Sequence, residues 1–188
     1  TMSSECLVNV ISRDIAKPFV IEHHYTQAFG KATLICGMWR DTKLVGVITF
    51  GQPSGRLVAS SLGETEHTCF EFLRMVVLDN EPTSRTYFMG RAIKILRQKF
   101  PRVRKLVTYA DQTEGHDGTV YKAGSWEYHG KTAKKYHYIK NGIRVNKRIP
   151  WDAAKKKGMT EGEYTKMFGY EKVMEEPKLR FIKVIRGR

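Results

Sequence analysis

The stretch Phe70 to Leu78, FEFLRMVVL, constrains the fold of this chain more than any other segment. It alternates at first and then becomes continuously apolar, the pattern of a strand buried in the middle of a sheet. Ser84 can cap a helix running to Phe100, in which Ile93, Ile95, Leu96 and Phe100 form an apolar face opposite Arg91, Lys94, Arg97 and Lys99. Lys105 to Ala110, KLVTYA, reads as the next strand. Two strands joined through a helix lie parallel with a right-handed crossover, so the middle of the chain predicts a β-α-β unit.

The flanks supply further elements. Leu7 to Ile11 is a short β-type run, and Asp14 to Tyr25 has helical periodicity, with Pro18 tolerable only near the first turn. Thr33 to Trp39 and Leu44 to Phe50, separated by Arg40-Asp41-Thr42-Lys43, predict a hairpin. After Asp111 come a glycine-rich turn, Gly115-His116-Asp117-Gly118, a short helix through Tyr121 and a strand from Trp126. Asn141-Gly142 predicts a type I′ hairpin, Thr160-Glu161-Gly162-Glu163 a capping box opening a helix to Phe168, and Leu179 to Ile185 a closing strand. Without a repeat or a Gly/Ser/Pro-rich linker, the expectation is one α/β (α+β) domain over residues 1–188, with 131–170 as a basic elaboration.

Charge narrows the partner. Lys and Arg number 33 against 19 Asp and Glu, a formal net charge of +14, which favours a polyanion. The excess is dense between Lys131 and Lys157, where Lys134, Lys135, Lys140, Arg144, Lys147, Arg148, Lys155 and Lys156 interleave with Tyr136, Tyr138 and Trp151. Such a run either grips phosphates or is simply a solvated face. No apolar run approaches the roughly 18 residues of a membrane span, and no export signal opens the chain. Thr1 before Met2 reads as a cloning remnant. Cys6, Cys36 and Cys69 are odd in number and widely spaced, so they read as core thiols in a reducing compartment. His23-His24 is poor clamp geometry on a helix, and no metal site is expected.

Two patterns resemble the GNAT superfamily of N-acetyltransferases. Gly90-Arg91-Ala92 matches the end of its R/Q-x-x-G-x-G/A loop, although Tyr87 stands where Arg or Gln is common, and Tyr121-Lys122-Ala123-Gly124-Ser125-Trp126 is similar to Y-x-x-x-G-F. The resemblance implies a GNAT-like fold, a mixed central sheet with flanking helices, and acetyl-CoA or a related acyl-CoA donor. It implies backbone contacts from the central strand at Val76 and Val77, and donor phosphates received at the next helix start by Ser84, Arg85, Gly90 and Ala92. Tyr121 would protonate the departing thiolate, a task that suits a phenol; its bland alternative is a core tyrosine.

A longer ordered set resembles the Mom family of phage proteins: His23-His24-Tyr25, Leu73-Arg74-Met75, Asp79-Asn80-Glu81-Pro82, Ser84-Arg85, Tyr109-Ala110-Asp111, Gly115-His116 with Gly118, Tyr121 with Ala123, Trp126, Tyr128 and Gly130, then Pro177-Lys178 and Arg180-Phe181. This resemblance implies modification of the exocyclic amine of adenine in double-stranded DNA with a methylcarbamoyl-type group, shielding phage DNA from restriction in the host cytoplasm. Asp111 is the expected acceptor of the amine proton, and Tyr121 the leaving-group acid. Arg74, costly to bury unpaired in an apolar strand, is expected to meet Asp111, a carboxylate such as Glu71, or the donor. His24, Tyr25, Tyr109, His116, Trp126 and Tyr128 are expected around an extruded base, and Lys134, Lys135, Arg144, Lys147 and Arg148 on phosphates. Two other readings stay open: a conventional acetyltransferase acting on a protein or small-molecule amine, and a noncatalytic nucleic-acid-binding protein.

Overall fold

A computed structural model describes residues 6–24, 29–112 and 117–187. Its frame is a seven-stranded sheet built from β1 (Leu7–Val10), β2 (Leu34–Arg40), β3 (Lys43–Gly51), β4 (Cys69–Val77), β5 (Lys105–Ala110), β6 (Glu127–Lys131) and β10 (Leu179–Val184). The order across the sheet is β1-β2-β3-β4-β5-β10-β6, antiparallel throughout except for the β4–β5 pair. The helix between those two parallel strands is α3 (Arg85–Lys99), capped by Ser84, whose side chain accepts from the Tyr87 N–H. The expected β-α-β unit is therefore present, and it lies at the centre.

Each face of the sheet has its own core. Phe88, Met89, Ala92 and Leu96 of α3 are buried against Phe50, Phe72 and Phe181. On the opposite face, α1 (Arg13–His23) buries Ala16 and Val20 against Ile35, Val47 and Val76. Pro18 sits inside α1, beyond the first turn where sequence reasoning would confine it. The carbonyl left without its i+4 donor belongs to Asp14 on an exposed turn, where water can replace the missing N–H, and the buried face holds the helix together. The three cysteines are buried and free, and burial pushes the thiols of Cys36 and Cys69 up to about 12 and about 11.

A network of long reach ties the sheet edge to the β4–α3 connection. Arg40 donates to Glu81 at 2.6 and 3.1 Å and to Thr83 Oγ1 at 3.0 Å, while the Thr83 N–H and the Cys6 thiol also donate to Glu81. Its guanidinium and the other donors hold the buried Glu81 carboxyl down to about 2. The Asp79-Asn80-Glu81-Pro82 segment thus contains a structural anchor.

Residues 132–178 leave the main sheet as an excursion between β6 and β10. It holds a three-stranded antiparallel sheet, β8-β7-β9, made of β7 (Lys135–Lys140), β8 (Ile143–Val145) and β9 (Glu171–Glu175), with α5 (Arg148–Lys156) and α6 (Glu161–Met167). Asn141 and Gly142 join β7 to β8 with φ of 51° and 74°, as a type I′ turn requires, and Thr160 and Glu163 form the capping box of α6. The two ends of the excursion are stitched together: the Thr132 N–H donates to the Lys178 carbonyl, and the Lys178 N–H to Thr132 Oγ1, both at 2.9 Å. The short helices α2 (Val58–Ser61) and α4 (Thr119–Ala123) complete the fold.

Candidate active site

The central strands pair only at their beginnings. Cys69, Phe70 and Glu71 of β4 oppose Lys105, Leu106 and Val107 of β5, and there the ladder stops, although β4 continues to Val77 and β5 to Ala110. The cause lies on the other edge of β4. Thr49 opposes Arg74 whereas Phe50 opposes Phe72, so Leu73 is an extra residue, a β-bulge that adds local twist and swings the strand away from β5. Across the opening Thr108 Oγ1 donates to the Phe72 carbonyl at 3.0 Å. The Leu78 N–H donates to Val45 of β3. Counted back by strand alternation, Val76 turns its amide to β3, and Met75 and Val77 turn theirs to the side that β5 has left.

A cavity of about 280 Å³ occupies this parting. Its walls are Leu73, Arg74 and Met75 of β4, Arg85 at the start of α3, Tyr109, Ala110 and Asp111 at the end of β5, Asp117 to Tyr121, and His24. Of the residues expected in a site, Arg74, Arg85, Tyr109, Asp111, Tyr121 and His24 are therefore brought together.

Tyr121 owes its position to the turn before it. Gly118 has φ of +81°, and a Cβ there would run into the Phe181 ring, so glycine is demanded twice over. Asp117 Oδ1 accepts from the Thr119 N–H at 2.9 Å and from its hydroxyl at 2.5 Å, closing the turn that starts α4. These bonds hold the Asp117 carboxyl below its ordinary range. The Tyr121 ring then packs on Phe72, Trp126 and Phe181, with centroid separations of 6.0, 5.5 and 5.5 Å. Burial pushes its phenol up, against a lowering contribution from Thr108 and with a further raising one from Glu71. The phenol consequently keeps its proton at neutral pH.

Asp111 is half-buried, and Lys178 Nζ lies 3.3 Å from its Oδ2. Behind the cavity Glu71 is buried and accepts the Ser54 N–H at 2.7 Å. Burial raises its carboxyl, against contributions from Ser54 and from the positive charges of Lys178 and Arg74. The Arg74 guanidinium lies beside Gly30, and Arg74 also borders a second cavity with Phe29 and Gln52.

Other expected residues fall elsewhere. Gly90 and Ala92 lie in the second turn of α3, past its amino-terminal donors; Ala92 is core, and a Cβ at Gly90 would meet open space. A glycine for close approach at the helix start is thus not what Gly90 provides, because the helix begins earlier, at Arg85. Trp126 is only 5% exposed and belongs to the core under Phe72, whereas Tyr128 is 52% exposed on β6. Lys134 and Lys135 are exposed, Arg144 donates to Glu175 at 2.5 Å, Lys147 stands over the Tyr136 ring, and Arg148 faces Asp152. Tyr25 and His116 lie outside the described residues. Among the described residues no cluster of three or more His, Cys, Asp or Glu side chains offers a metal site, and no helix is long and apolar enough to cross a membrane. Sequence reasoning missed Asp117 and Lys178 as parts of the site; Asp-Gly-Thr is a readable turn signal, and Lys178 has none, since its contact depends on the sheet closing.

The model of the Mom protein family matches residues 5–188. The chain belongs to the Mom family. It is similar to the methylcarbamoylase Mom of Escherichia phage Mu, with 29% identity over 144 residues, 73% of this chain and 58% of that relative. The chain thus spans rather more than half the length of the phage Mu protein. Solved structures place this Mom-family chain in the GNAT-like fold. A Brucella melitensis ribosomal-protein-alanine N-acetyltransferase aligns with a TM-score of 0.54 at 11% identity, over 95% of this chain and 99% of that one. A Bacillus subtilis acetyltransferase in complex with CoA aligns at 0.51 and 9%, over 97% and 100%. Arabidopsis thaliana NAA60 in complex with acetyl-CoA aligns at 0.55 and 11%, again over 97% and 100%.

Proposed function

We propose that this Mom-family chain is a phage DNA-modification enzyme, working in the host cytoplasm, that transfers an acyl-derived group of methylcarbamoyl or acetamido type to the exocyclic amine of adenine in double-stranded DNA, protecting it from restriction. The observation that carries this reading is the convergence of Asp111 and Tyr121 on one cavity at the parted edge of β4. A carboxylate and a protonated phenol facing one space are the pair that amine acylation needs, one to take a proton and one to give it.

The residues around the parting suit an acyl-CoA. The outward amides of Met75 and Val77 offer donors to an acyl carbonyl, the first N–H groups of α3 and the Arg85 side chain suit phosphate, and Arg74 adds positive charge. Such a donor supplies an activated acyl carbon and a thiolate leaving group. Asp111 would accept the proton lost by the amine as the C–N bond to the acyl carbon forms and the C–S bond breaks, and Tyr121 would deliver its phenolic proton to the leaving sulfur. This step accounts for acyl transfer; the additional nitrogen of a methylcarbamoyl-type group would enter in a separate reaction from a nitrogen donor. His24 and Tyr109 line the remaining wall, where an extruded base would lie.

The excursion suits the DNA strand. It carries ten lysines and two arginines against six acidic residues, and its stalk reaches the mouth of the cavity through Lys178. The experiment is expression of the chain in bacteria followed by mass spectrometry of nucleosides from plasmid DNA. Modified deoxyadenosine is expected; unmodified adenine beside an acetylated protein or metabolite would instead favour a conventional acetyltransferase.

A further inference from the structure

The excursion contains a recess of its own. It is a depression open to solvent, offering about 420 Å³ between Tyr136 of β7, Lys147 before α5, Arg148 and Trp151 of α5, and Glu161 at the start of α6. That volume lies in the range of small-molecule sites, about 300–1,000 Å³. Trp151 is 45% exposed although α5 already has its buried face in Pro150 and Ala154, so the core does not require an indole here.

The opposite wall is fixed. The Tyr136 hydroxyl donates to Glu161 at 3.1 Å, and the same carboxylate accepts from the buried Tyr138 at 2.8 Å. The Tyr136 ring also has Lys172 Nζ 4.0 Å and Lys147 Nζ 5.0 Å from its centroid. Arg148 is exposed, with a side-chain contact to Asp152 at 3.7 Å. An indole with Lys155 Nζ 5.3 Å from its ring centroid, a phenol held in place, and cations standing over both rings match one ligand chemistry: a planar base joined to a phosphate. An acidic peptide would leave the indole unused, and an apolar one would desolvate the cations.

We infer that this recess takes one unstacked nucleobase of a DNA strand, with Trp151 stacking on the base and Lys147 and Arg148 on its phosphates. Glu161 adds a hydrogen-bond acceptor, which favours a base edge carrying an amino group. The inference rests on the reading that the excursion carries DNA. It adds a second base contact, outside the cavity, through which the sequence around a target adenine is read.

The test uses the full chain and short single-stranded oligonucleotides with 2-aminopurine at one position. The wild type is expected to quench the 2-aminopurine on binding, as stacking on an aromatic ring does. Trp151→Ala should bind about tenfold more weakly and lose the quenching, while Trp151→Phe keeps most of both, with thermal unfolding unchanged in either variant. Equal affinity and equal quenching in Trp151→Ala would overturn the inference. Nucleoside analysis of plasmid DNA reads the function separately. Modified adenine without Trp151-dependent quenching sinks the recess alone, and Trp151-dependent quenching without modified adenine supports the recess and sinks the enzymatic reading.

Discussion

Lys178 Nζ lies 3.3 Å from Asp111 Oδ2, so the residue that ends the basic excursion touches the carboxylate at the mouth of the cavity. The contact is made possible by the register of β10, which sets Leu179 opposite both Ala110 and Lys131. Any displacement of the excursion is thereby mechanically joined to the orientation of Asp111.

Replacing Asp111 with Asn should abolish adenine modification while leaving the salt dependence of DNA binding intact. Lys178→Gln should lower modification partially, and Lys178→Arg should restore much of it, because the cation positions the carboxylate without taking part in proton transfer. Nucleoside mass spectrometry beside DNA-binding titrations checks both. Parallel loss of binding and modification in Asp111→Asn would assign the residue to the fold.

Tyr121→Phe keeps the ring contacts with Phe72, Trp126 and Phe181 and removes the acid together with its hydrogen bond to Thr108. Modification should fall by about 10²–10⁴-fold, with a loss of stability of no more than about 0.5–1.5 kcal/mol. Because burial raises the phenol above its ordinary value, the proton stays in place through the neutral range, and activity should show no fall from Tyr121 ionisation between pH 7 and 9. A downturn in that interval that disappears in Tyr121→Phe would contradict this.

Glu81 should make the fold acid-sensitive. Its carboxyl is held at about 2 in the folded state against an ordinary 4.5, so its contribution to stability is complete above 4.5 and is lost as pH falls toward 2. Glu81→Gln should lower the melting temperature at pH 7, and the gap to wild type should narrow on acidification to pH 3. A gap that stays constant would mean that Arg40 and Thr83 do not depend on the charge.

Gly118→Ala forces a Cβ into the Phe181 ring at a φ that L residues rarely adopt. We expect destabilisation of about 1–3 kcal/mol in denaturant titrations and loss of modification through displacement of Tyr121. Gly90→Ala meets open space and should leave both unchanged or slightly improve stability.

Removing the exposed pair Lys134 and Lys135 should reduce the slope of log affinity against log salt by up to about two. Arg144→Gln should change it less, since Arg144 is engaged with Glu175. An unaltered slope in the double lysine variant would take the phosphate backbone away from this part of the excursion.

The elements with strong local signals were readable from sequence: Lys105–Ala110 has the bounds its apolar run predicts, Ser84 caps α3, and Asn141-Gly142 and Thr160/Glu163 behave as their turn and capping chemistry requires. That Arg74, Asp111 and Tyr121 belong to one site is an expectation carried by the resemblance to the Mom and GNAT families, and the three border one cavity. What sequence could not supply depends on partners distant in the chain. The parting of β4 from β5 arises at Leu73, an unremarkable residue until its opposition to β3 is known. Trp126 was expected at a base and is core instead, because the turn at Ser125, with φ of 60°, folds the indole back toward Phe72. α5 lies inside the Lys131–Lys157 charge run, whose cations mask an amphipathic pattern set by Ile149, Pro150, Trp151, Ala153 and Ala154.

The placement of β10 between β5 and β6 has a consequence for how the molecule is born. That strand follows residues 132–178 in the chain, yet it occupies an interior slot of the large sheet. During synthesis the β5 and β6 edges that flank β10 wait unpaired until the whole excursion has emerged, so the large sheet closes last. A nascent chain stalled within residues 132–178 would carry every residue that lines the cavity but not the Phe181 ring on which Tyr121 packs.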